Sequence, residues 1–225
     1  MSNDVKPICY YCGELATSVE HVPPKCFFPE GQREELFTVP SCNIHNNNKS
    51  HDDEYVKVML TTSANVMFKS VLKPVIDKSF RALDRSPGFA SAVFKNPEPA
   101  AIHFADGRQI MSTSHEIDLD RFYSFFDSLG RALYFHHEKK IWNGGVRIAP
   151  HFLLNDTPEE KDLQMHNELI ELFDRANSWG KNKSIFYYNF VTVYSDEKIK
   201  DIILYVLTVC LFDEFKVSIL LVPSQ

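Results

Sequence analysis

The spacing of apolar residues predicts two long helices, one in the N-terminal third of the chain and one near its middle. From Tyr55 onward, apolar positions recur every three or four residues, which predicts a helix over 52–73 and further helical turns over 75–83. A second apolar stripe predicts a helix over 119–136, and Asp118 directly before it is a suitable N-cap. We expect this second helix to be central to the core of the C-terminal part.

Strands are predicted mainly in the last quarter of the chain. Weak alternation around an Asp-Gly pair first predicts a β-hairpin over 101–111, and a capping-box sequence at 157–160 predicts a helix that runs to about Ala176. Three aromatic and β-branched runs then predict strands over 185–194, 202–212 and 216–222. The middle run also fits a helical period. Helices and strands in this order predict an α+β fold.

Residues 7–54 have a different pattern, because they are polar, rich in turns and interrupted by prolines that exclude a continuous helix. A segment with so little apolar material needs another source of stability. We therefore predict a stapled N-terminal motif over 1–57, a helical connector over 58–85, and a mixed helix and strand domain over 86–225.

The composition is that of an ordinary globular protein, and the negative net charge argues against a protein that simply coats nucleic acid. The chain has 225 residues, of which 44% are hydrophobic, and a net charge of −6. It therefore carries no overall basic field of the kind that marks a protein coating nucleic acid. The first residues are polar and no apolar run reaches about 18 residues, so we expect no membrane span and a cytoplasmic location.

Five cysteines in that compartment are more readily metal ligands or core residues than disulfides. Cys9 and Cys12 form one pair at knuckle spacing, and Cys42 and His45 form a second pair about 30 residues later. Two such pairs can complete a tetrahedral zinc site with thiolate and imidazole ligands. The alternatives are that the cysteines are simply buried, or that Cys26 replaces one ligand. Cys210 lies in an apolar run and is predicted to be core.

Residues suited to hydrolytic chemistry lie between and just after these pairs. Glu20 and His21 are adjacent, and Asn46 directly follows the second pair. Hydrolysis of a phosphodiester needs a base that deprotonates water and a cation that neutralises charge on the phosphate. A neutral histidine suits the first task, and carboxylate and amide oxygens can hold a divalent cation for the second. A Glu-His pair alone is weak support, since most such pairs are surface charges.

The order of these residues resembles the HNH, or ββα-metal, endonuclease family over residues 7–55. The family pattern is C-x2-C, then [D/E]-H-[V/I]-x-P, then C-x2-[C/H]-N-x2-K. The matching residues are Cys9, Cys12, Glu20, His21, Val22, Pro24, Cys42, His45, Asn46 and Lys49. The resemblance implies a β-hairpin carrying Glu20 and His21 and a helix carrying Asn46. It implies further that His21 is the general base, and that Glu20 and Asn46 hold Mg²⁺ or another divalent cation.

Two parts of the family pattern are altered or loose. Family members often have an asparagine on the second strand that orients the histidine, whereas here Glu35 is the nearest polar substitute. His51 is a candidate for the final histidine, and Lys49 is expected to contact a phosphate or to cap the local structure. His136 and His137 are either a second metal site or histidines at a helix end, and we favour the latter.

The resemblance implies a metal-dependent nuclease that cleaves DNA, with structural zinc at the paired ligands. Residues 1–57 contain nine acidic and five basic residues, so binding to DNA is expected to need help from a partner such as a DNA-recognising ATPase. A role as an effector of bacterial defence against phage follows only by analogy with small proteins of this family. The alternatives are an RNA-cleaving enzyme and a non-catalytic zinc-knuckle module.

Overall fold

The computed structural model describes residues 6–34, 36–47, 49–103, 106–153, 158–195 and 201–224, which form a mixed α+β fold with antiparallel sheets. The helices are α1 (Asn43–Asn47), α2 (Lys49–Thr61), α3 (Lys73–Arg85), α4 (Pro87–Val93), α5 (Leu119–Glu138) and α6 (Glu160–Arg175). The strands are β1 (Ser18–Val22), β2 (Phe37–Ser41), β3 (Lys95–His103), β4 (Gln109–Glu116), β5 (Gly145–Pro150), β6 (Ser178–Trp179), β7 (Phe186–Tyr194), β8 (Ile202–Leu211) and β9 (Phe215–Val222). Short 3₁₀ helices lie at Lys25–Phe27 and Ser70–Leu72.

The N-terminal part is a two-stranded hairpin followed by helices. β1 and β2 are antiparallel, with Glu20 opposite Val39 and His21 opposite Thr38. The chain leaves β2 at Ser41 and enters α1 almost at once. Glu35, the expected substitute for the family's asparagine, lies outside the described residues.

The helix predicted over 52–73 is shorter than expected and ends at Thr61. Thr61 Oγ1 donates to the Lys57 carbonyl at 2.8 Å, Thr62 Oγ1 to the Val58 carbonyl at 2.8 Å, and the next hydroxyl, Ser63, to a carbonyl three residues back. Hydroxyls that bond the preceding carbonyls compete with continuation of the helical ladder. After Thr61 the chain turns, and the next α-helix, α3, begins at Lys73. The helical spacing of apolar residues therefore continues beyond the residue at which α2 ends.

The other predicted helices lie where the pattern placed them. α5 covers Leu119–Glu138, and Asp118 Oδ1 accepts a hydrogen bond from the Arg121 amide at 3.3 Å, as a capping residue should. α6 covers Glu160–Arg175 and begins after Glu159. Thr157, the predicted cap, lies outside the described residues. The hairpin predicted over 101–111 is confirmed and is longer, because β3 and β4 pair from Lys95 to Glu116.

The C-terminal part is a five-stranded antiparallel sheet in the order β5-β9-β8-β7-β6. The run with two interpretations, β8, is a central strand, so its helical alternative is wrong. Residues 205–211 of β8 are all buried, as expected of a strand whose side chains alternate between two covered faces. Cys210 is buried there, as predicted for a core cysteine. β6 was not predicted, since two residues carry no periodic signal.

α5 lies against one face of this sheet and joins it to the N-terminal part. A Cβ on Gly130 of α5 would lie 2.6 Å from Ile219 Cγ2 of β9, so the helix approaches the sheet more closely than a side chain would allow. On its other side, α5 packs on α2 and places Phe125 5.3 Å from Phe27, between ring centroids. One buried apolar cluster therefore runs from Tyr10 to Leu221. The division at residues 57 and 85 stays a prediction.

α6 lies near the other face of the sheet, where Phe173 contacts Tyr187 with ring centroids 5.5 Å apart. Asn189 of β7 donates to the Phe173 carbonyl at 3.2 Å. In the part of the chain that the structure describes, no helix is long and apolar enough to cross a membrane.

Candidate functional site

The four residues predicted to hold zinc come together at one point. Ligand atoms of Cys9, Cys12, Cys42 and His45 all lie within 4.8 Å of one another. The Cys12 and Cys42 sulfurs are 3.9 Å apart, and His45 Nδ1 lies 3.1 Å from Cys42 Sγ and 3.8 Å from Cys9 Sγ. A tetrahedral zinc with bonds of about 2.3 Å to sulfur holds its sulfurs about 3.8 Å apart. The cluster therefore fits a metal such as zinc, with His45 binding through Nδ1.

Local structure explains why each pair converges. The first pair lies in a tight turn, where the Gly13 amide donates to the Cys9 carbonyl at 3.0 Å and Gly13 has a φ of +79°, a conformation that favours glycine. The second pair brackets the first turn of α1, since Cys42 directly precedes the helix and His45 follows three residues later. Residues three apart on a helix share a face.

Backbone amides also prepare Cys9 for a metal. Burial raises the pKa of this thiol, but hydrogen bonds from the backbone of Cys12, Cys42 and Tyr11 outweigh burial and lower the pKa. The thiolate is the form that binds metal. Cys26, the possible replacement ligand, is not part of the cluster, and burial raises the pKa of its thiol to about 12.

Aromatic and ionic contacts attach this cluster of candidate metal ligands to α5. The Tyr11 ring stacks on the His45 imidazole, with centroids 4.3 Å apart and planes 21° apart. Tyr11 donates its hydroxyl to Asp127 Oδ2 at 2.8 Å, and Arg131 lies over the Tyr11 ring at 4.9 Å. Disruption of this cluster would therefore disturb the contact with α5 as well as the N-terminal segment.

Glu20 and His21 extend from opposite faces of β1, because successive side chains of a strand alternate. Glu20 is 5% exposed and faces the interior, whereas His21 is partly accessible. Asn46 donates from Nδ2 to Ser18 Oγ at 2.9 Å. Ser18 is two residues before Glu20, so Asn46 approaches the same face of the hairpin as Glu20.

The Glu20 carboxylate is bound by a lysine. Lys49 Nζ donates to Glu20 Oε1, and it lies 3.7 Å from Asp53 Oδ1 one helical turn further along α2. Lys49 is 6% exposed and its ammonium is engaged inside the protein, which favours a role in the local structure over contact with a phosphate, the other role expected of it. Glu20 Oε2 and Asp53 Oδ1 are buried and make no hydrogen bond to any residue that the structure describes.

Burial and charge set the protonation of this cluster. Burial raises the pKa of Asp53 to about 6, with Lys49 acting to lower it and Glu20 to raise it. Burial also raises the pKa of the Tyr10 phenol well above its usual value, and the Glu20 carboxylate acts in the same direction. The interior between hairpin and α2 is thus a compact group of ionisable side chains around one ammonium.

His21 has a cationic environment. Burial lowers its pKa, and the charges of Lys25 and Arg33 lower it further, against a smaller opposite effect of Glu20. Arg33 donates from Nη2 to the Phe28 carbonyl at 3.4 Å, while its buried Nε makes no hydrogen bond to the described residues. Lys25 and Arg33 were not predicted from the sequence as site residues. A count of charges along the chain does not show which of them lie close enough to act on His21.

The remaining candidates are placed elsewhere. His51 is exposed, and its carbonyl accepts a hydrogen bond from Arg121 Nη2 at 2.6 Å. His136 stacks on Phe37 and His137 on Phe190, both near the C-terminal end of α5. In the described part of the chain, the cluster around Cys9 is the one group of three or more ligands close enough to hold a metal. His136 and His137 lie in the last turn of α5, which is the position that the favoured helix-end interpretation expects.

Comparison of the chain with protein-family models, with curated proteins and with solved structures finds no match.

Proposed function

We propose that this protein is a metal-dependent endonuclease that hydrolyses phosphodiester bonds in DNA, with His21 as the general base. The observation that carries the proposal is the environment of His21. Its imidazole is partly accessible, burial lowers its pKa so that it is neutral at neutral pH, and the charges of Lys25 and Arg33 act on it in the same direction. A neutral imidazole beside two cations is suited to accept a proton from water while a phosphate is bound.

The surrounding architecture supports the same proposal. A hairpin carrying His21 and a helix carrying Asn46 are joined by the cysteine and histidine cluster, which is the arrangement that the HNH resemblance implies. In this proposal the cluster is structural zinc that fixes the hairpin against α1. The cations beside His21 also lessen the objection from net charge, because a local positive field can bind a phosphate on an acidic protein.

The second metal of the proposal is a divalent cation at Glu20 and Asn46. The buried Glu20 Oε2, which makes no hydrogen bond to the described residues, and the nearby Asp53 Oδ1 are oxygen donors of the kind that Mg²⁺ binds. Such a cation would neutralise charge on the phosphate and on the leaving oxygen. For this role Glu20 must exchange its bond to Lys49 and Asn46 its bond to Ser18. Both must also reach the phosphate from the face of β1 opposite to His21.

The buried pair of Glu20 and Lys49 is also the observation that favours the alternative of a non-catalytic zinc-knuckle module. In that case Glu20 serves the packing of the hairpin on α2, and His21 is a surface histidine. Cleavage separates the two functions, whereas metal content does not.

The test is a cleavage assay on plasmid DNA, single-stranded DNA and RNA in parallel, with added Mg²⁺ or Mn²⁺. We expect the parent protein to cut DNA and His21→Ala to be slower by about 10²–10⁴-fold, the range for loss of a general base. His103→Ala is the matched control, because His103 is exposed on β3, outside the proposed site. If His21→Ala cuts as fast as the control, or no nucleic acid is cut, the nuclease proposal is wrong. Cleavage of RNA alone would change the substrate and keep the mechanism.

A defence role and a partner such as a DNA-recognising ATPase are further parts of the proposal, and they do not depend on the geometry of the site. They rest on the analogy with small HNH proteins and on the negative net charge of residues 1–57, which contain nine acidic and five basic residues. Co-purification with DNA-dependent ATPases, and phage plating on cells with and without His21→Ala, test them.

A further inference from the structure

A cavity of about 270 Å³ opens between the N-terminal hairpin and the C-terminal sheet. We call it the Trp179 cavity, and the residues that line it include Val22, Phe28, Phe37, His136, Trp179 and Tyr188. Of its ten lining residues, five carry the aromatic rings of Phe, Tyr or Trp and a sixth is a histidine. The cavity therefore offers mostly flat, apolar surfaces.

Two of these surfaces are well suited to stacking. Phe37 and His136 are already stacked on one another, with centroids 3.7 Å apart and planes 26° apart. Trp179 lies on β6, at the edge of the sheet, and is 54% exposed. The other tryptophan of the chain, Trp142, is only 7% exposed. Such exposure is unusual for the largest aromatic side chain. An accessible tryptophan at the mouth of an aromatic cavity is typical of a ligand site.

The cavity is not purely apolar, because His136 supplies a polar edge. Its ring nitrogens make no hydrogen bond to another described residue. Burial, together with the charge of Lys139, lowers the pKa of His136, so the imidazole is neutral and offers one donor and one acceptor. The Tyr188 hydroxyl, in contrast, is already bonded to His137 Nε2 at 3.1 Å. The ligand that fits is flat and aromatic, with a hydrogen-bonding edge.

The loop between β1 and β2 connects this cavity to His21. Val22, which lines the cavity together with its hairpin partner Phe37, directly follows His21 at the end of β1. The Val22 and His21 side chains extend from opposite faces of the strand, so a nucleic acid must pass around the end of β1 to reach both. Lys25 and Arg33, the cations that act on His21, belong to the same loop as Phe28, whose ring lines the cavity. The loop between β1 and β2 thus carries cations that can bind a phosphate and apolar surface that can bind the base attached to it.

We propose that the Trp179 cavity binds one unpaired nucleobase of the nucleic acid whose backbone lies at His21. This deepens the proposed nuclease function and rests on it: the substrate class becomes single-stranded or locally unpaired nucleic acid. A base inside a duplex is stacked on both faces and cannot enter, so a paired substrate must first release it. Stacking is independent of charge, which suits an acidic protein that has few cations to bind phosphates. It also assigns a role to the C-terminal sheet, which contributes Trp179 and Tyr188.

The experiment measures binding, with no added Mg²⁺ or Mn²⁺, so that it proceeds whether or not the chain cleaves. The probes are a single-stranded oligonucleotide of about 12 nucleotides and a chain of abasic spacers with the same number of phosphates. Trp179 fluorescence and anisotropy of the labelled probe report the complex. We expect the oligonucleotide to bind and to quench Trp179, and the abasic chain to bind more weakly without quenching.

Three variants complete the test. Trp179→Ala and His136→Ala should weaken oligonucleotide binding by about 5- to 100-fold, the effect of losing one stacking partner, and leave abasic binding unchanged. Trp179→Phe keeps an aromatic ring and should retain most of the affinity, which separates stacking from loss of fold. The matched control is Phe68→Ala, since Phe68 is 78% exposed and outside the cavity. Melting curves identify any variant that fails to fold.

The outcomes of this test and of the cleavage test are independent. Equal affinity for both probes, or a Trp179→Ala variant that binds like Phe68→Ala, overturns the nucleobase proposal even if DNA is cut through His21. Duplex bound more tightly than the single strand, with no dependence on Trp179, overturns it as well. Binding that depends on Trp179 in a protein that cuts nothing would support the cavity proposal and contradict the nuclease.

Discussion

Lys49 Nζ and the Glu20 carboxylate form an ion pair in the interior, each residue no more than 6% exposed, between the first strand and the second helix. Removing two charges from water is costly, and their attraction compensates only while both partners remain. The pair links a residue that the sequence assigns to chemistry with one that it assigns to phosphate binding.

The first prediction follows from the cost of leaving one of these charges unpaired. Lys49→Met should lower the free energy of unfolding by about 3–5 kcal/mol, because the buried Glu20 carboxylate loses its counter-ion. The double variant Lys49→Met with Glu20→Gln should lose less than half of that. Urea unfolding measures both. Lys73→Met, which breaks the exposed pair with Asp77, is the control and should cost at most about 1 kcal/mol. Additive effects of the two substitutions would contradict the pairing.

The same variant tests the proposed cation. With Lys49 replaced, the Glu20 carboxylate is available, and we expect added Mn²⁺ to raise the melting temperature of Lys49→Met more than that of the parent. The effect should disappear in the double variant with Glu20→Gln. A rise of the same size in all three proteins would show that the cation binds elsewhere.

The second prediction concerns the metal centre. Cys42→Ser should abolish the binding of one equivalent of zinc, measured by elemental analysis of the purified protein. It should also lower the melting temperature by about 5–10 °C, which corresponds to about 2–3 kcal/mol for a chain of this size. Cys26→Ser is the matched control, since its thiol lies outside the cluster. Zinc retained by Cys42→Ser, or lost by Cys26→Ser, would identify a different ligand set.

The third prediction is a loss of stability in mild acid. Burial lowers the pKa values of His137 and His151 to about 4, and the charges of Lys139 near His137 and Lys216 near His151 act in the same direction. The unfolded chain, with an ordinary pKa near 6.5, therefore binds more protons than the native protein between these values. Stability due to the neutral rings is complete above about pH 6.5 and falls as the pH decreases toward 4. Because solvent reaches both rings, we expect about 1–2 kcal/mol from each.

Unfolding by urea at several pH values measures this dependence. His137→Gln and His151→Gln should each reduce the slope between pH 4 and 6.5. The control His103→Gln keeps both half-buried histidines and should follow the parent. If neither His137→Gln nor His151→Gln alters the slope, the acid sensitivity has another origin.

The fourth prediction tests the approach of α5 to the sheet. Gly130→Ala should cost about 1–3 kcal/mol, because the new Cβ would lie 2.6 Å from the stiff, β-branched Ile219. The same change at Gly88 in α4 meets nothing within 4 Å and should be neutral or stabilising by about 0.5–1 kcal/mol. Thermal melts of the two variants compare a crowded glycine with an open one. Equal effects would contradict the close packing.

Much of the fold was readable because its elements are periodic. The stripe that predicted α5 and the aromatic runs that predicted β7 and β9 depend on local alternation, which needs no tertiary information. The end of α2 was not readable from period alone, since Thr61 and Thr62 end the helix through bonds of their hydroxyls to preceding carbonyls. β8 kept two interpretations until its neighbours on both sides showed it to be a central strand.

The sequence by itself predicted the four residues of the Cys9, Cys12, Cys42 and His45 cluster, because each ligand pair at knuckle spacing is formed by a local turn or a short helix. Only the tertiary structure decided what surrounds the proposed chemistry. Glu20 meets Lys49 because strand alternation turns its side chain toward α2, and His21 gains the charges of Lys25 and Arg33 because the loop folds back beside it. Contacts between distant segments, such as those that bring Trp179 to the hairpin, depend on packing and leave no periodic trace in the chain.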